Sequence, residues 1–183
     1  MCVRSFITWC LRILGWKIDV SVPPGVFKAV VVMAPHTSNW DFVIGRLAFY
    51  LMNVRARFLI KKELFFFPLG FILRRLGALP VDRKSNNNMV QQAVDLFNNN
   101  DALYLVFTPE GTRSANPHWK KGFYFIAQNA KVPIVLAYID YRSKTGGFHG
   151  LFHATGNIRE DILSIKQQLS NYQAKYPEKG ITF

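Results

Sequence analysis

The chain has 183 residues, half of them hydrophobic and 15% aromatic, which excludes a disordered or low-complexity protein and allows one domain with one core. Its 23 Lys and Arg residues outnumber its 11 Asp and Glu residues, giving a formal net charge of +12. This charge favours partners that carry phosphate, whether nucleic acid, anionic lipid head groups or small phosphorylated molecules, and does not distinguish among them.

Cysteine content and hydropathy restrict the compartment and the relation to membranes. Cys2 and Cys10 both lie in the first ten residues, which argues against a disulfide framework or metal site and favours a reducing compartment. Arg12 interrupts the N-terminal apolar run and no small-residue cleavage site follows, so we expect this segment to be retained. The longest apolar run, residues 64–73, is shorter than the roughly 20 residues that span a bilayer.

Hydrophobic periodicity predicts alternating helices and strands. The first element is a short, basic amphipathic helix within residues 3–14, and a V-P-P-G turn then leads to a buried strand, A-V-V-V-M, before Pro35. The later predicted elements are a helix at 42–53, a strand at 57–60, a short strand in G-A-L-P-V-D-R ending at Arg83, a helix at 86–100, a strand at 102–107, a helix at 122–130, a strand at 132–138 and a helix at 161–176.

This order predicts the fold class and the place of the chemistry. Strands that alternate with helices are typical of an α/β protein, so we expect a single domain with a largely parallel central sheet flanked by helices. Functional groups in such sheets gather beyond the carboxyl ends of the strands. His36, Arg83 and Glu110 each come just after a predicted strand.

A histidine and an aspartate follow the first buried strand, in P-H-T-S-N-W-D-F. His36 and Asp41 are five residues apart, a rotation of about 140° on a continuous helix, so they would not share a helix face. Ser38 fits an N-cap with Asp41 at the capping-box position, which lets His36 fold back over the first turn and meet the carboxylate. An aspartate so placed would orient a histidine base; alternatively, Asp41 only caps the helix and His36 only fills a turn.

Two further segments carry groups suited to anions. In F-T-P-E-G-T-R-S, Gly111 lets backbone amides approach an anion, the Thr112 hydroxyl can donate to it, and Arg113 can add a bidentate clamp. The alternative is an ordinary polar turn. In G-A-L-P-V-D-R, Arg83 can reach a phosphate or can simply be a surface charge. His149 lies in a glycine-rich stretch with no Cys or carboxylate nearby, so we expect no metal site there.

Taken together, P-H-T-S-N-W-D-F, G-A-L-P-V-D-R, F-T-P-E-G-T-R-S and V-P-I-V resemble, in order and approximate spacing, the four sequence blocks of the glycerolipid acyltransferases typified by 1-acyl-glycerol-3-phosphate acyltransferase. This resemblance extends from about residue 30 to residue 140. It implies an O-acyltransferase of phospholipid biosynthesis, with an acyltransferase domain in residues 18–183 and an amphipathic, membrane-associating segment in residues 1–17.

The resemblance also implies roles for the matched residues. His36 would be the general base and Asp41 its orienting partner. The residues that would bind the polar acyl acceptor are Arg83, Glu110, Gly111, Thr112 and Arg113. An acyl group would pass from an acyl-CoA or acyl-ACP co-substrate to a hydroxyl of a lysophospholipid-type acceptor, without a metal or bound cofactor. The chain is short for this family and its fourth block lacks a second proline, so the identity of the acceptor stays open.

An aromatic block in residues 61–76 predicts contact with a membrane surface. Two basic pairs flank its phenylalanines, and each basic residue near an anionic surface contributes about 1 kcal/mol of binding. We therefore expect a peripheral membrane protein at the cytoplasmic face, with anionic lipid and acyl-CoA or acyl carrier protein as partners. The alternative is that these phenylalanines belong to the core.

Other classes of function remain open at this point. A basic, aromatic-rich chain can bind nucleic acid through phosphate contacts and stacking on nucleobases. That mode needs aromatic residues interleaved with basic residues, whereas this phenylalanine cluster is continuous. We therefore expect no nucleic-acid partner. A catalytically inactive lipid-binding protein of the same fold, or a thioester hydrolase that uses the same base, are the further alternatives.

Overall fold

The computed structural model describes residues 3–82 and 89–183, whose helices and strands largely follow the hydrophobic pattern of the sequence. The helices are α1 (Val3–Ile13), α2 (Asn39–Leu51), α3 (Leu69–Arg75), α4 (Met89–Asn98), α5 (Gly122–Ala130) and α6 (Ile158–Leu169). The strands are β1 (Lys17–Ile18), β2 (Lys28–Met33), β3 (Ala56–Lys61), β4 (Ala78–Val81), β5 (Leu103–Phe107), β6 (Ile134–Asp140) and β7 (Thr145–Phe152). Short 3₁₀ turns lie at Lys62–Leu64 and Pro177–Lys179.

The described strands form one sheet in the order β1-β7-β6-β2-β5-β3-β4. Strands β2 to β6 are parallel to one another, β7 is antiparallel to β6, and β1 is parallel to β7. The prediction of a single α/β domain with a largely parallel central sheet is confirmed. Since β2 lies between β5 and β6, the segments that follow these three strands meet at one edge of the sheet.

Both faces of the sheet are covered, as the apolar composition of its central strands requires. Val30 and Val32 of β2 belong to a core with α4, α5 and α6, whereas Ala29 and Val31 belong to a second core with α1 and α2. The register pairs Val32 with Phe107 of β5. The chain after β2 and the chain after β5 therefore leave the sheet side by side.

The structure corrects several predicted bounds. The last helix is α6, which begins after the Asn157 N-cap and ends at Leu169, so the predicted helix at 161–176 was wrong at both ends. Helix α2 begins at Asn39, directly after the predicted Ser38 cap and three residues before the start that apolar spacing indicated. Helix α3 and strands β1 and β7 were not predicted from the sequence. Arg83 and the first residues of the predicted helix at 86–100 lie outside the described residues.

Helix α1 is packed on the domain and still exposes apolar side chains. It contacts α2, and Leu11 is buried in the core shared with that helix. Phe6, Trp9 and Ile13 are each more than half exposed. No helix in the described ranges combines the length and apolar character that crossing a bilayer requires.

Candidate active site

A cavity of about 910 Å³ lies where β2 and β5 end, beside helix α2. Its polar side is lined by His36, Asp41, Thr112, Arg113 and Lys120, together with the backbone around Gly111. The carboxyl-end edge of a parallel sheet is where such sites are expected, because the connecting loops converge there. The structure thus brings together five residues that the sequence analysis selected, and adds Lys120.

His36 and Asp41 are in direct contact at this edge. The Nδ1 atom of His36 lies 3.1 Å from Oδ2 of Asp41. The predicted turn makes this possible: Ser38 caps α2, its hydroxyl accepting the N–H of Trp40 at 3.2 Å, and Asp41 completes the capping box. Because Nδ1 faces the carboxylate, the second ring nitrogen, Nε2, is the one left to exchange a proton with a substrate.

Asp41 is 1% exposed, and every carboxylate oxygen has a donor. Its Oδ2 accepts the backbone N–H groups of Thr37 and Ser38 at 2.8 Å each, besides facing His36. Its Oδ1 accepts the hydroxyl of Tyr141 at 2.6 Å. Burial opposes ionisation, but the hydrogen bonds from His36, Tyr141 and the two amides together outweigh it and lower the pKa of Asp41. The carboxylate is therefore ionised beside the imidazole at neutral pH.

Tyr141 is a site residue that the sequence analysis missed. It comes directly after β6, at the same edge of the sheet as His36. Position at that edge was the only sequence signal that pointed to it, since a hundred residues separate it from Asp41.

Glu110 lies behind the site. It is 3% exposed and is not among the residues that line the cavity. Its Oε2 accepts the backbone N–H of His36 at 3.0 Å, while its Oε1 is buried without a hydrogen-bond partner among the described residues. Burial, reinforced by the nearby negative charge of Asp41, raises the pKa of Glu110 to about 8, so this carboxyl group is neutral at pH 7.

The loop after β5 brings cations to the cavity. Gly111 has φ +68°, a left-handed conformation that favours glycine, and a Cβ there would lie 2.6 Å from Cε of Lys120, so a larger residue would displace the end of this lysine. Arg113 donates from Nη1 to Oδ1 of Asn39 at 2.6 Å, which ties the loop to the first residue of α2. Arg83, the remaining predicted anion-binding residue, lies outside the described residues.

The other side of the cavity is apolar. One face of α2 contributes Phe42, Gly45 and Phe49, which recur at helical spacing over about two turns, or about 11 Å. Facing them are Met33 of β2 and Phe58 of β3, whose ring packs edge-on against Phe42 at 5.1 Å. The cavity therefore joins a cationic, proton-exchanging end to an apolar groove along one helix.

The aromatic block lies on the surface, so the alternative that these phenylalanines belong to the core was wrong. Phe67 is 90% exposed, and Phe66 and Phe71 are each 59% exposed. The guanidinium of Arg74 lies 5.2 Å from the Phe65 ring and that of Arg75 lies 4.8 Å from the Phe71 ring. We call residues 64–76 the aromatic patch.

Metal-binding groups are sparse. Within residues 3–82 and 89–183, no three His, Cys, Asp or Glu side chains come together as a metal site. His149 instead contacts the hydroxyl of Tyr172 through Nδ1 at 2.7 Å.

Comparison with known proteins gives consistent matches. The sequence model of a family described as Acyltransferase matches residues 22–140, well over half of the chain. The 1-acyl-sn-glycerol-3-phosphate acyltransferase of Saccharomyces cerevisiae is 33% identical over 123 residues, which cover 59% of this chain and 37% of that protein. The 1-acyl-sn-glycerol-3-phosphate acyltransferase beta of Homo sapiens is 26% identical over 171 residues, 87% of this chain and 60% of that one. The chain thus spans less than two thirds of the length of either relative.

A solved structure shares the fold. The crystal structure of the 1-acyl-sn-glycerophosphate acyltransferase PlsC from Thermotoga maritima superposes with a TM-score of 0.60 over 90% of this chain and 75% of that one, at 18% sequence identity. At that identity the match supports the architecture described above.

Proposed function

This chain belongs to the acyltransferase family, and from that membership we propose that it transfers a fatty acyl group from an acyl-CoA or acyl-ACP thioester to a hydroxyl of a lysophospholipid-type acceptor. The observation that carries the proposal is the contact of His36 with Asp41 at the polar end of a cavity whose other side is apolar. Lysophosphatidate is the first acceptor to test, because both curated relatives are named for its acylation.

His36 acts as the general base in this proposal. Its Nε2 removes the proton from the acceptor hydroxyl as that oxygen attacks the thioester carbonyl, and the imidazolium then protonates the departing thiolate. Asp41 keeps Nδ1 protonated and stabilises the imidazolium, and is not itself a proton carrier. Every bond and proton is accounted for by the two substrates and one imidazole, so the reaction requires no metal or bound cofactor.

Direct transfer to the acceptor fits the site better than an acyl-enzyme. Thr37 and Ser38 carry the two hydroxyl groups that follow His36 in the sequence. Ser38 is 7% exposed, and its hydroxyl accepts a backbone N–H as the cap of α2. Thr37 is 4% exposed, and its hydroxyl accepts the N–H of Tyr176 at 3.4 Å. Both hydroxyl groups therefore serve the loop that carries His36.

The two sides of the cavity suit the two parts of the substrates. Arg113 and Lys120 supply positive charge for a phosphate-bearing acceptor, and a planar guanidinium can bind phosphate through two hydrogen bonds. Phe42, Gly45 and Phe49 offer apolar contact for the acyl chain. Burying an alkyl chain contributes about 0.8 kcal/mol per methylene group, so this groove favours long acyl groups. Glu110 shapes the acceptor site by holding the backbone of His36.

The acyl acceptor and product are lipids, so the site must meet a membrane surface. The aromatic patch combines exposed rings with Arg74 and Arg75, and the exposed side chains of α1 add a second apolar surface. Aromatic side chains with adjacent cations are typical of proteins bound at the lipid–water interface. We therefore propose peripheral attachment to an anionic membrane at its cytoplasmic face.

Mass spectrometry of reaction products tests the proposal. Purified protein is incubated with liposomes, with acyl-CoA or acyl-ACP, and with lysophosphatidate, other lysophospholipids or a lysolipid linked to an amino acid. The proposal expects an acylated product from at least one acceptor. Free fatty acid alone would indicate a hydrolase, and liposome binding without either product would indicate a lipid-binding protein; either result would overturn the proposed activity.

A further inference from the structure

Tyr141 contacts the catalytic pair at a place that the mechanism above does not use. We propose that Tyr141 is a positioning residue of this site, whose hydroxyl group fixes the Asp41 carboxylate and limits the negative charge that it presents to His36. This inference rests on the function proposed above, because it assigns a role relative to the base of that reaction.

The two carboxylate oxygens of Asp41 have different hydrogen-bond partners. Oδ2 faces His36 and accepts both backbone N–H groups of the preceding turn, whereas the one donor to Oδ1 within the described part of the chain is the Tyr141 hydroxyl, at 2.6 Å. Asp41 is 1% exposed, so water cannot readily replace a lost donor, and leaving Oδ1 without one would cost free energy. Without the Tyr141 hydroxyl, Oδ1 would lack a partner among the described residues, and the contacts of Oδ2 would hold the carboxylate with one donor fewer.

Tyr141 is itself held in place from two directions. Its backbone N–H donates to the carbonyl of Gln173 at 2.9 Å. Its ring packs edge-on against the indole of Trp16, with centroids 5.1 Å apart and an interplanar angle of 89°. Trp16 is 8% exposed and joins α1 to β1. The phenol is thus a rigid donor rather than a mobile surface group, and a Phe at this position would keep the ring packing while removing the hydrogen bond.

The hydrogen bond from Tyr141 affects how strongly Asp41 stabilises a protonated His36. A hydrogen bond donated to a carboxylate draws negative charge away from it, so the carboxylate stabilises a nearby imidazolium less. Removing the Tyr141 hydroxyl should therefore make protonation of His36 easier. Among the described residues, the other titratable groups near the pair are Glu110, beside Asp41, and Tyr176, beside Tyr141. Two cations, Arg113 and Lys120, line the same cavity. All four are unchanged in a Tyr141→Phe variant.

The test compares Tyr141→Phe with a matched control, Tyr124→Phe. Tyr124 also donates to an aspartate at 2.6 Å, but its partner is Asp161 in α6, outside the catalytic pair. For each variant, NMR follows the ring signal of His36 as a function of pH, assigned by its loss in His36→Ala among the four histidines of the chain. Acyl-transfer rates over the same pH range and the melting temperature complete the comparison.

We expect the His36 titration midpoint and the acidic limb of kcat/KM to move to higher pH in Tyr141→Phe, by roughly half a unit. We also expect kcat to fall about tenfold because the base is less well oriented. Tyr124→Phe should lower the melting temperature and leave the His36 midpoint in place. An unchanged midpoint in Tyr141→Phe, or an equal change in both variants, would overturn the proposal. If the wild-type protein transfers no acyl group, the proposed function fails while the NMR midpoint still decides the role of Tyr141.

Discussion

Glu110 accepts a hydrogen bond from the backbone N–H of His36 at 3.0 Å, across 74 residues of sequence. The two residues follow the adjacent strands β5 and β2, so the parallel register of the sheet is what brings them together. Glu110 is buried and its pKa is raised to about 8, which makes it a neutral acceptor rather than a counter-ion at pH 7.

This contact predicts a pH-dependent difference in stability between the wild type and Glu110→Gln. As pH rises from the ordinary carboxyl value of 4.5 towards about 8, the unfolded chain loses the Glu110 proton and the folded chain keeps it. The free energy of unfolding therefore falls, by at most about 1.4 kcal/mol per pH unit, and this loss levels off above the folded pKa. Glutamine has no such proton but can still accept the His36 N–H.

Thermal unfolding at pH 5 and pH 8 measures that difference. The melting temperature of Glu110→Gln relative to the wild type should rise between the two pH values. Comparing the variants at each pH cancels the titration of most other groups. A difference that stays constant would show that Glu110 ionises normally in the folded protein.

Asp41 both caps α2 and faces His36, and two variants separate these roles. Asp41→Asn should lower kcat/KM by about 10²–10⁴, because an amide does not stabilise the imidazolium. Ser38→Ala removes the side-chain cap and should cost about 1 kcal/mol of stability with only a small loss of activity. Kinetics and melting temperatures of both variants are the measurements. Equal losses of activity would mean that Asp41 serves only as a helix cap.

The apolar groove predicts control of acyl length by Gly45. A Cβ at this position would lie 3.0 Å from Cε of Met33, the flexible end of a side chain, so larger residues would extend into the groove. Gly45→Leu should shift the preference towards shorter acyl groups, measured by competition between donors of different length. Gly150→Leu is the control, since a Cβ at Gly150 meets no atom within 4 Å. An unchanged preference in Gly45→Leu would place the acyl chain elsewhere.

The aromatic patch predicts a membrane-binding defect that can be separated from catalysis. Phe67→Ser combined with Phe71→Ser should weaken binding to anionic vesicles by tenfold or more, because burying one phenyl ring contributes about 1.5–3 kcal/mol. Phe27→Ser is the control, as Phe27 is 68% exposed and lies outside the patch. Vesicle sedimentation measures the binding. If the double variant binds like Phe27→Ser, the patch is not the membrane contact.

Local sequence pattern was sufficient to predict the helices and strands at the centre of this fold. The helix predicted at 122–130 has the bounds of α5, because its apolar spacing is regular and the chain turns left-handed at Lys131. The capping box at Ser38 was readable because it depends on residues three positions apart. Strand β7 was missed, since T-G-G-F-H-G-L-F has little strand propensity and is a strand only through its pairing with β6.

Local sequence pattern likewise predicts one part of the candidate site and not the rest. The contact of His36 with Asp41 follows from one turn of chain, and the sequence analysis predicted it. Tyr141 and Lys120 were missed because each reaches the site through the register of distant strands and loops. The burial of Glu110 likewise depends on packing that no local pattern encodes. The roles assigned to the acceptor-binding residues, Arg83 among them, stay predictions.

A comparison of rates tests whether His36 is the base for acyl transfer. Purified wild type, His36→Gln and the surface control His149→Gln are assayed with lysophosphatidate and an acyl thioester on liposomes. We expect transfer by the wild type and the control, a loss of about 10²–10⁴ in kcat for His36→Gln, and equal vesicle binding by all three. Transfer by His36→Gln within a few-fold of the wild-type rate would contradict the role of His36 as the base.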